Sequence, residues 1–347
     1  MRFQTRILFS VPALALAAIA ALASPPGMSG KPDPQMQAVL DQLQALGGKP
    51  IETLSADEAR KQPTPADAVK ALLKKQGKST APEPVGNVAN RSIPGAAGAI
   101  PIRIYTPKGT GPFPVVFYIH GGGWVIADLD VYDSSPRALA NAAGAVVVSS
   151  HYRQGPEHKF PAAHDDTWAA YKWTLANAGS FQGDPKRVAV VGESAGGNMA
   201  GAIAIRARDE GVQAPVYQVL IYPVTTADPA TPSKRENTQA KPLNTAMMKW
   251  FSEKYLASPA DGEKPTFSIL KADLKNLPPA TIITAQIDPL RSEGKDYADR
   301  LKAAGVAVDY KNYDGAAHEF FGMGAVVDQA KQAVAQAAAG LKKGFAR

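Results

Sequence analysis

The stretch Val188-Ala-Val-Val-Gly-Glu-Ser-Ala-Gly-Gly-Asn-Met-Ala200 decides the fold. Its first half is an apolar, β-branched run typical of a buried strand, and its second half begins an Ala- and Ile-rich run typical of a helix. Between them stands a Gly-x-Ser-x-Gly motif centred on Ser194. In a sharp strand-to-helix turn the serine takes a strained backbone, so the residues two before and two after it must be small. Gly192 and Gly196 meet this requirement, which makes Ser194 a candidate nucleophile.

A glycine-rich loop without any chemistry would give the same pattern, so the interpretation requires a base and an acid. In this kind of turn the partners follow the serine in the order Asp or Glu, then His. Of the five histidines, only His318 lies after Ser194. It follows the alternating run Val306–Tyr310, which predicts a late strand, and strand carboxyl ends are where parallel sheets present functional groups. His318 is therefore the candidate base.

Asp288 is the best-placed acid between the two. It follows the apolar strand candidate Thr281–Thr284 and precedes an apparent helix opened by Pro289 and Leu290. A plain role as the N-cap of that helix is an equal alternative. Other aspartates lie within or beside polar segments and have no comparable strand end before them: Asp273, Asp296, Asp299, Asp309 and Asp314.

A second glycine-rich motif lies upstream. The run Val115–Ile119 predicts a strand that leads into His120-Gly121-Gly122-Gly123-Trp124. Successive glycines can turn their N–H groups toward one point and let a substrate carbonyl approach closely. A flexible turn is the alternative, but the position after a strand and upstream of the serine motif favours an oxyanion hole, a set of donors for a developing negative charge.

These motifs resemble those of the bacterial hormone-sensitive-lipase-like carboxylesterases of the α/β-hydrolase superfamily. The resemblance covers about residues 80–345 and rests on four blocks of sequence. They are His120–Trp124, Tyr152–Ala162, Gly192–Asn198, and Asp288-Pro-Leu290 followed by His318.

The resemblance implies an α/β fold, with a mostly parallel central sheet flanked by helices and a small helical cap. It also implies a catalytic triad and an oxyanion hole at matching positions of this chain. The triad would be Ser194, Asp288 and His318, and the oxyanion donors would be Gly121, Gly122 and Ala195.

The activity that the resemblance implies is hydrolysis of short-chain carboxylic esters through an acyl-enzyme. Its partner is a small-molecule ester, and it requires neither a metal nor an organic cofactor. Deacetylation or amide hydrolysis on the same residues is an alternative, and a non-catalytic binding protein that retains the fold is a second one.

Three positions depart from the family pattern. Glu193 stands before the serine where the family usually has Asp, and Glu319 stands after the histidine where it usually has Gly. The segment His151-Tyr152-Arg153 replaces the usual Asp-Tyr-Arg. None of these changes removes a triad member, so they bear on substrate range more than on reaction type.

The N-terminus, residues 1–23, has the three parts of a secretory signal peptide. Arg2 and Arg6 precede the apolar run Ile7–Ala20, and the A-x-A site Ala21-Leu-Ala23 precedes Ser24. The run is too short and too rich in alanine to favour a permanent membrane span. We therefore expect an exported protein, periplasmic or extracellular.

Composition is that of an ordinary globular protein. The chain has 347 residues, of which 45% are hydrophobic and 20% charged, with a formal net charge of +7. The basic residues are scattered rather than interleaved with aromatic ones, so no nucleic-acid surface is predicted. The sequence contains no cysteine, so an exported form would have no disulfide and would depend on core packing.

Residues 24–80 are predicted to be a linker followed by short helices. One helix ends at Gly47, a second is marked by the capping box of Ser55 and Glu58, and a third begins at Thr64 and ends at Gly77. In the resembling family such helices form part of a cap over the active site. Packing on the flank of the sheet is an equal alternative.

Residues 81–347 are predicted to form the catalytic domain, with an antiparallel edge before alternating strands and helices. The strand candidates of the alternating part begin at Val115, Val146, Val188, Val216, Thr281 and Val306. Residues 225–264 break this alternation and contain a cluster of large apolar residues, interpreted either as a second cap segment that contacts substrate or as plain core. On the first interpretation Trp124, Met247 and Trp250 are candidate substrate-binding residues.

Overall fold

The structure is a computed structural model that describes Met1 and residues 27–346. Apart from Met1, the predicted signal peptide lies outside the described residues. The described strands form one eight-stranded sheet in the order β1-β2-β4-β3-β5-β6-β7-β8. The strands are β1 (Asn87–Gly95), β2 (Gly98–Thr106), β3 (Phe113–Ile119), β4 (Val146–Ser150), β5 (Gly183–Glu193), β6 (Gln218–Ile221), β7 (Ala280–Ile287) and β8 (Val308–Ala317).

The sheet has an antiparallel edge and a parallel centre, as predicted. β2 pairs antiparallel with β1 and β4, and the other neighbours pair parallel. The α-helices are α1 (Pro34–Ala45), α2 (Ala56–Ala59), α3 (Pro65–Lys75), α4 (Ser134–Ala143), α5 (Ala162–Asn177), α6 (Ala195–Glu210), α7 (Pro232–Glu236), α8 (Thr245–Tyr255), α9 (Pro259–Glu263), α10 (Arg291–Ala303) and α11 (Asp328–Phe345).

The central strands are covered by helices on both faces. In β3, Val116 and Tyr118 belong to a buried cluster that contains residues of α4 and α11. Their neighbours Val115 and Phe117 belong to a second cluster with residues of α5 and α6. A strand that is buried on both faces has a continuous apolar sequence, because neither face meets solvent. This explains the apolar runs in β3 and β5.

The last strand is longer than the sequence predicted. The alternating run indicated a strand over Val306–Tyr310, whereas β8 continues to Ala317. The extension is possible because Tyr313, Ala316 and Ala317 are buried, whereas Lys311 and Asp314 are exposed and Asn312 is partly exposed. As a result His318 follows the strand end directly.

The three predicted N-terminal helices are present with their caps. Ser55 and Glu58 form the predicted capping box of α2, and Thr64 forms another with Asp67 at the start of α3. Helices α1 and α3 pack on each other, and α3 also contacts the 3-10 turn Phe320–Met323 that follows His318. The N-terminal helices therefore contact the end of the sheet where the candidate site lies.

The segment 225–264 contains α7, α8 and α9. In α8, Trp250, Phe251 and Tyr255 are buried, whereas Met247 and Met248 are only partly buried. Within residues 27–346, no helix is both long enough and apolar enough to cross a membrane.

Candidate active site

The turn at Ser194 is as tight as the Gly-x-Ser-x-Gly motif predicts. Ser194 has φ 56 and ψ −118, a backbone conformation that residues with a side chain rarely adopt. A Cβ added to Gly192 would lie 2.1 Å from the carbonyl oxygen of Gly196, and one added to Gly196 would lie 2.0 Å from the carbonyl oxygen of Ile119. Because both approaches are to backbone atoms, neither position can accept a side chain without moving the main chain.

Ser194, His318 and Asp288 form a continuous hydrogen-bonded chain. His318 Nε2 lies 3.0 Å from Ser194 Oγ, and His318 Nδ1 lies 2.7 Å from Asp288 Oδ2. All three residues are buried. A carboxylate can only accept, so Nδ1 carries the proton and Nε2 is left to accept the serine proton. This is the arrangement in which a histidine can act as a base toward the serine.

The structure separates the two roles considered for Asp288. Helix α10 begins at Arg291, and Leu290 occupies its N-cap position without a side-chain hydrogen bond to the helix. Asp288 instead accepts from the Leu290 N–H through Oδ1, at 2.8 Å, while Oδ2 faces the imidazole. Asn237 Nδ2 donates to the Asp288 carbonyl, at 3.2 Å. The aspartate therefore fixes the turn and orients the histidine with separate oxygens.

The surroundings raise the pKa of His318. Burial on its own lowers this pKa. The charge of Asp288 and the hydrogen bond from His318 to Asp288 raise it, and the charges of Glu319 and Glu193 raise it further. The attractive contributions outweigh burial, so the pKa lies above its ordinary value.

The glycine loop after β3 lies beside the serine. A Cβ on Gly121 would lie 3.1 Å from Ser194 Cβ. The Gly121 carbonyl accepts from Tyr152 OH at 2.7 Å, and the Gly122 carbonyl accepts from the Val125 N–H at 3.0 Å. Each of these peptide bonds is planar and trans, so its C=O and its N–H point in opposite directions. A hydrogen bond that fixes the direction of a carbonyl therefore also fixes the direction of the N–H of the next residue.

Several amides of the glycine loop are thus held in fixed directions. The N–H groups of Gly122 and Gly123 are fixed by the carbonyls that precede them, and Gly123 is not among the oxyanion donors predicted from the sequence. The carbonyl of His120 accepts from the same Tyr152 hydroxyl at 3.1 Å, which fixes the N–H of Gly121 in the same way. Ala195 is the first residue of α6, where an N–H has no acceptor within the helix.

The three predicted substrate-binding residues differ in how much of the side chain is exposed to solvent. Trp124 is 2% exposed and its ring stacks on that of Tyr255 at 5.0 Å. Trp250 is also buried, and its Nε1 donates to the Leu54 carbonyl at 3.1 Å. Met247 is partly buried and is the most accessible of the three.

Comparison with known proteins identifies the family. A family model for the alpha/beta hydrolase fold matches residues 116–322. Carboxylesterase NlhH of Mycobacterium tuberculosis is 43% identical over 249 residues, which are 70% of this chain and 78% of that protein. Ethyl acetate hydrolase of Pseudomonas putida is 35% identical over 309 residues, 86% of this chain and 95% of that one.

A solved structure agrees with these sequence relatives. The esterase of Pyrobaculum calidifontis superposes with a TM-score of 0.80 at 39% identity, over 90% of this chain and 98% of that one. The chain therefore belongs to the α/β-hydrolase family, and within it to the hormone-sensitive-lipase-like carboxylesterases, which are serine hydrolases. The resemblance drawn from the sequence is confirmed.

The variant Asp288→Asn distinguishes a role of Asp288 in orienting His318 from a role in stabilising the turn before α10. The amide oxygen can still accept from Leu290, but an amide that donates to His318 Nδ1 would favour the wrong tautomer. We expect kcat for ester hydrolysis to fall on the order of 10⁴-fold, with the unfolding midpoint little changed. Asp67→Asn, in the capping box of α3, is the control and should change stability rather than kcat. Preserved activity together with lost stability in Asp288→Asn would contradict the assignment.

Proposed function

We propose that this protein is an exported serine esterase that hydrolyses short-chain carboxylic esters through an acyl-enzyme. The observation that carries the proposal is the hydrogen-bonded chain from Ser194 through His318 to Asp288, placed beside the glycine loop. The carboxylesterase activity of relatives in the same family supports it.

In the first half of the reaction Ser194 Oγ attacks the ester carbonyl carbon while His318 Nε2 takes its proton. The carbonyl oxygen becomes an oxyanion, which the N–H groups of the glycine loop and of Ala195 would stabilise. The imidazolium is stabilised by Asp288 at Nδ1. When the intermediate collapses, the ester C–O bond breaks and His318 donates its proton to the departing alcohol, leaving an ester on Ser194.

In the second half a water molecule attacks that ester. His318 takes one proton from the water, a second oxyanion forms in the same place, and its collapse returns the proton to Ser194 Oγ. The carboxylic acid then leaves and the free enzyme is restored.

We also propose that residues 24–80 and 225–264 together form the cap over this site. Arg60 donates to the carbonyls of Val125 and Gly155, at 2.9 Å in both cases. Trp250 in α8 donates to Leu54, so the two segments contact each other. These contacts support a cap that closes over the loop that follows β3.

Loss of the nucleophile or the base provides the direct test of the triad. We expect Ser194→Ala and His318→Ala each to lower kcat on the order of 10⁴- to 10⁶-fold, and the double variant to be scarcely worse, because the residues act as a unit. His158→Ala is the control, since His158 is exposed and should leave the rate unchanged. Turnover of an activated ester at the wild-type rate by Ser194→Ala would disprove the proposal.

The cap predicts a limit on acyl-chain length. Each methylene that enters an apolar pocket gains about 0.8 kcal/mol, and each that stays in water gains nothing. We expect kcat/KM for p-nitrophenyl esters to rise from acetyl to roughly octanoyl and then stop rising. Met247 could yield to longer chains if it lines the pocket, because its side chain is flexible. A maximum at long chains with activation at an oil–water interface would contradict the limit.

Export predicts a mature N-terminus. Since the charged segment, apolar run and A-x-A site occur together, we expect cleavage after Ala23. N-terminal sequencing of the periplasmic or secreted protein should begin at Ser24. Protein recovered from the cytosol with Met1 intact would refute export.

A further inference from the structure

A second carboxyl group lies beside the catalytic histidine, on the side opposite Asp288. It belongs to Glu319, the residue that follows His318 and stands where the resembling family usually has glycine. Its Oε1 lies 3.8 Å from His318 Nε2, the nitrogen that also faces Ser194. Glu319 has φ 69, a left-handed backbone that glycine adopts without strain and a glutamate does not. The carboxyl is thus present despite an unfavourable backbone.

The position of this carboxyl is fixed by Tyr132. The Tyr132 hydroxyl donates to Glu319 Oε1 at 2.5 Å, and only 22% of the Glu319 side chain is exposed. The same hydroxyl would lie 2.3 Å from a Cβ at Gly121, so it also touches the glycine loop. Tyr132 is buried, which leaves the hydroxyl little freedom to move away.

Other charged and titratable groups near this position belong to neighbouring elements. Asp288 lies beyond the imidazole at the end of β7, and Glu193 lies at the end of β5, where it accepts hydrogen bonds from Tyr118 and Tyr222. Burial and then the charge of Glu319 raise the pKa of Glu193 to about 7. Burial also raises the pKa of Glu319, while His318 and Tyr132 act to lower it. The net effect is a pKa above the ordinary value for Glu319, and the groups that oppose burial and favour the carboxylate are the imidazole of His318 and the Tyr132 hydroxyl.

We propose that Glu319 is a positioning residue that acts through His318, stabilising on its Nε2 side the imidazolium that forms when Ser194 attacks the ester. The inference rests on the proposed function, since it requires His318 to become protonated during the reaction. Asp288 then stabilises the ring from Nδ1, and the carboxylate of Glu319 stabilises it from the other side.

The charge of Glu319 also lowers the activity of the enzyme at low pH. A carboxylate that stabilises the imidazolium in the transition state also stabilises it in the free enzyme, where His318 must be neutral to act as a base. The charge of Glu319 thus contributes to the raised pKa of His318. Removing that charge should let His318 lose its proton at lower pH and, at the same time, make it a weaker base.

The test is the pH dependence of ester hydrolysis by Glu319→Gln, which keeps the shape and removes the charge. We expect the acid limb of kcat/KM to move down by about one pH unit, and kcat on the plateau to fall roughly tenfold with little change in KM. Glu319→Asp should recover part of both effects. Glu210→Gln, an exposed residue at the C-terminal end of α6, is the matched control and should reproduce the wild-type profile.

Two further measurements test the role of Glu319. Glu319→Gly should fold readily, because glycine adopts φ 69 without strain, and should show the same shifted profile. NMR titration of the His318 ring should give a lower pKa in Glu319→Gln than in the wild type, whatever the activity. An acid limb and a ring titration that match the wild type would overturn the role of Glu319 while leaving the proposed function intact. Absence of ester hydrolysis in the wild type would overturn the proposed function instead.

Discussion

The strained backbone of Ser194 is the constraint on which the rest of the site depends. Its N–H donates to the Ile221 carbonyl at 2.9 Å, and its own carbonyl accepts from Asn198 at 3.1 Å and Val224 at 3.3 Å. These bonds tie the turn to β6 and to the first turn of α6, so the surrounding fold over-determines the conformation. Such strain persists only when its surroundings enforce it. The turn therefore holds the hydroxyl at the carboxyl end of the sheet before any substrate arrives.

The parallel sheet brings the other groups to the same end. β7 and β8 run parallel to β5 and are followed directly by Asp288 and His318, so residues distant in sequence meet without any long loop between them. The loop after β3 joins them because β3 is the neighbour of β5. Ligands of open α/β sheets bind at this end for the same reason. The chemistry of the site thus follows from strand order.

Much of this arrangement could be predicted from the sequence, because Ser194, Asp288 and the glycine loop each come directly after an apolar strand. His318 could be predicted because no other histidine follows Ser194 in the chain. The role of Asp288 could not be decided in advance, since an aspartate in front of a helix has the same sequence signature as an N-cap. Only the position of Leu290 at the N-cap and the bond to His318 distinguish the two.

Other features depend on contacts between distant segments, which periodicity does not reveal. The burial of Trp124 arises from stacking on Tyr255 of α8, more than a hundred residues away. Glu319 stood out as a departure from the family pattern, but its position beside Nε2 and its bond to Tyr132 required the fold. The end of β8 was missed because polar residues interrupt the alternating run before Ala317.

Covalent trapping of the nucleophile tests the central claim most directly. The protein would be incubated with an activated p-nitrophenyl phosphonate, whose phosphorus the serine attacks with release of nitrophenol, and the adduct would be located by mass spectrometry of peptides. The account predicts one adduct per chain, carried by the peptide that contains Ser194, and none in Ser194→Ala. An adduct on another residue, or equal labelling of Ser194→Ala, would contradict it.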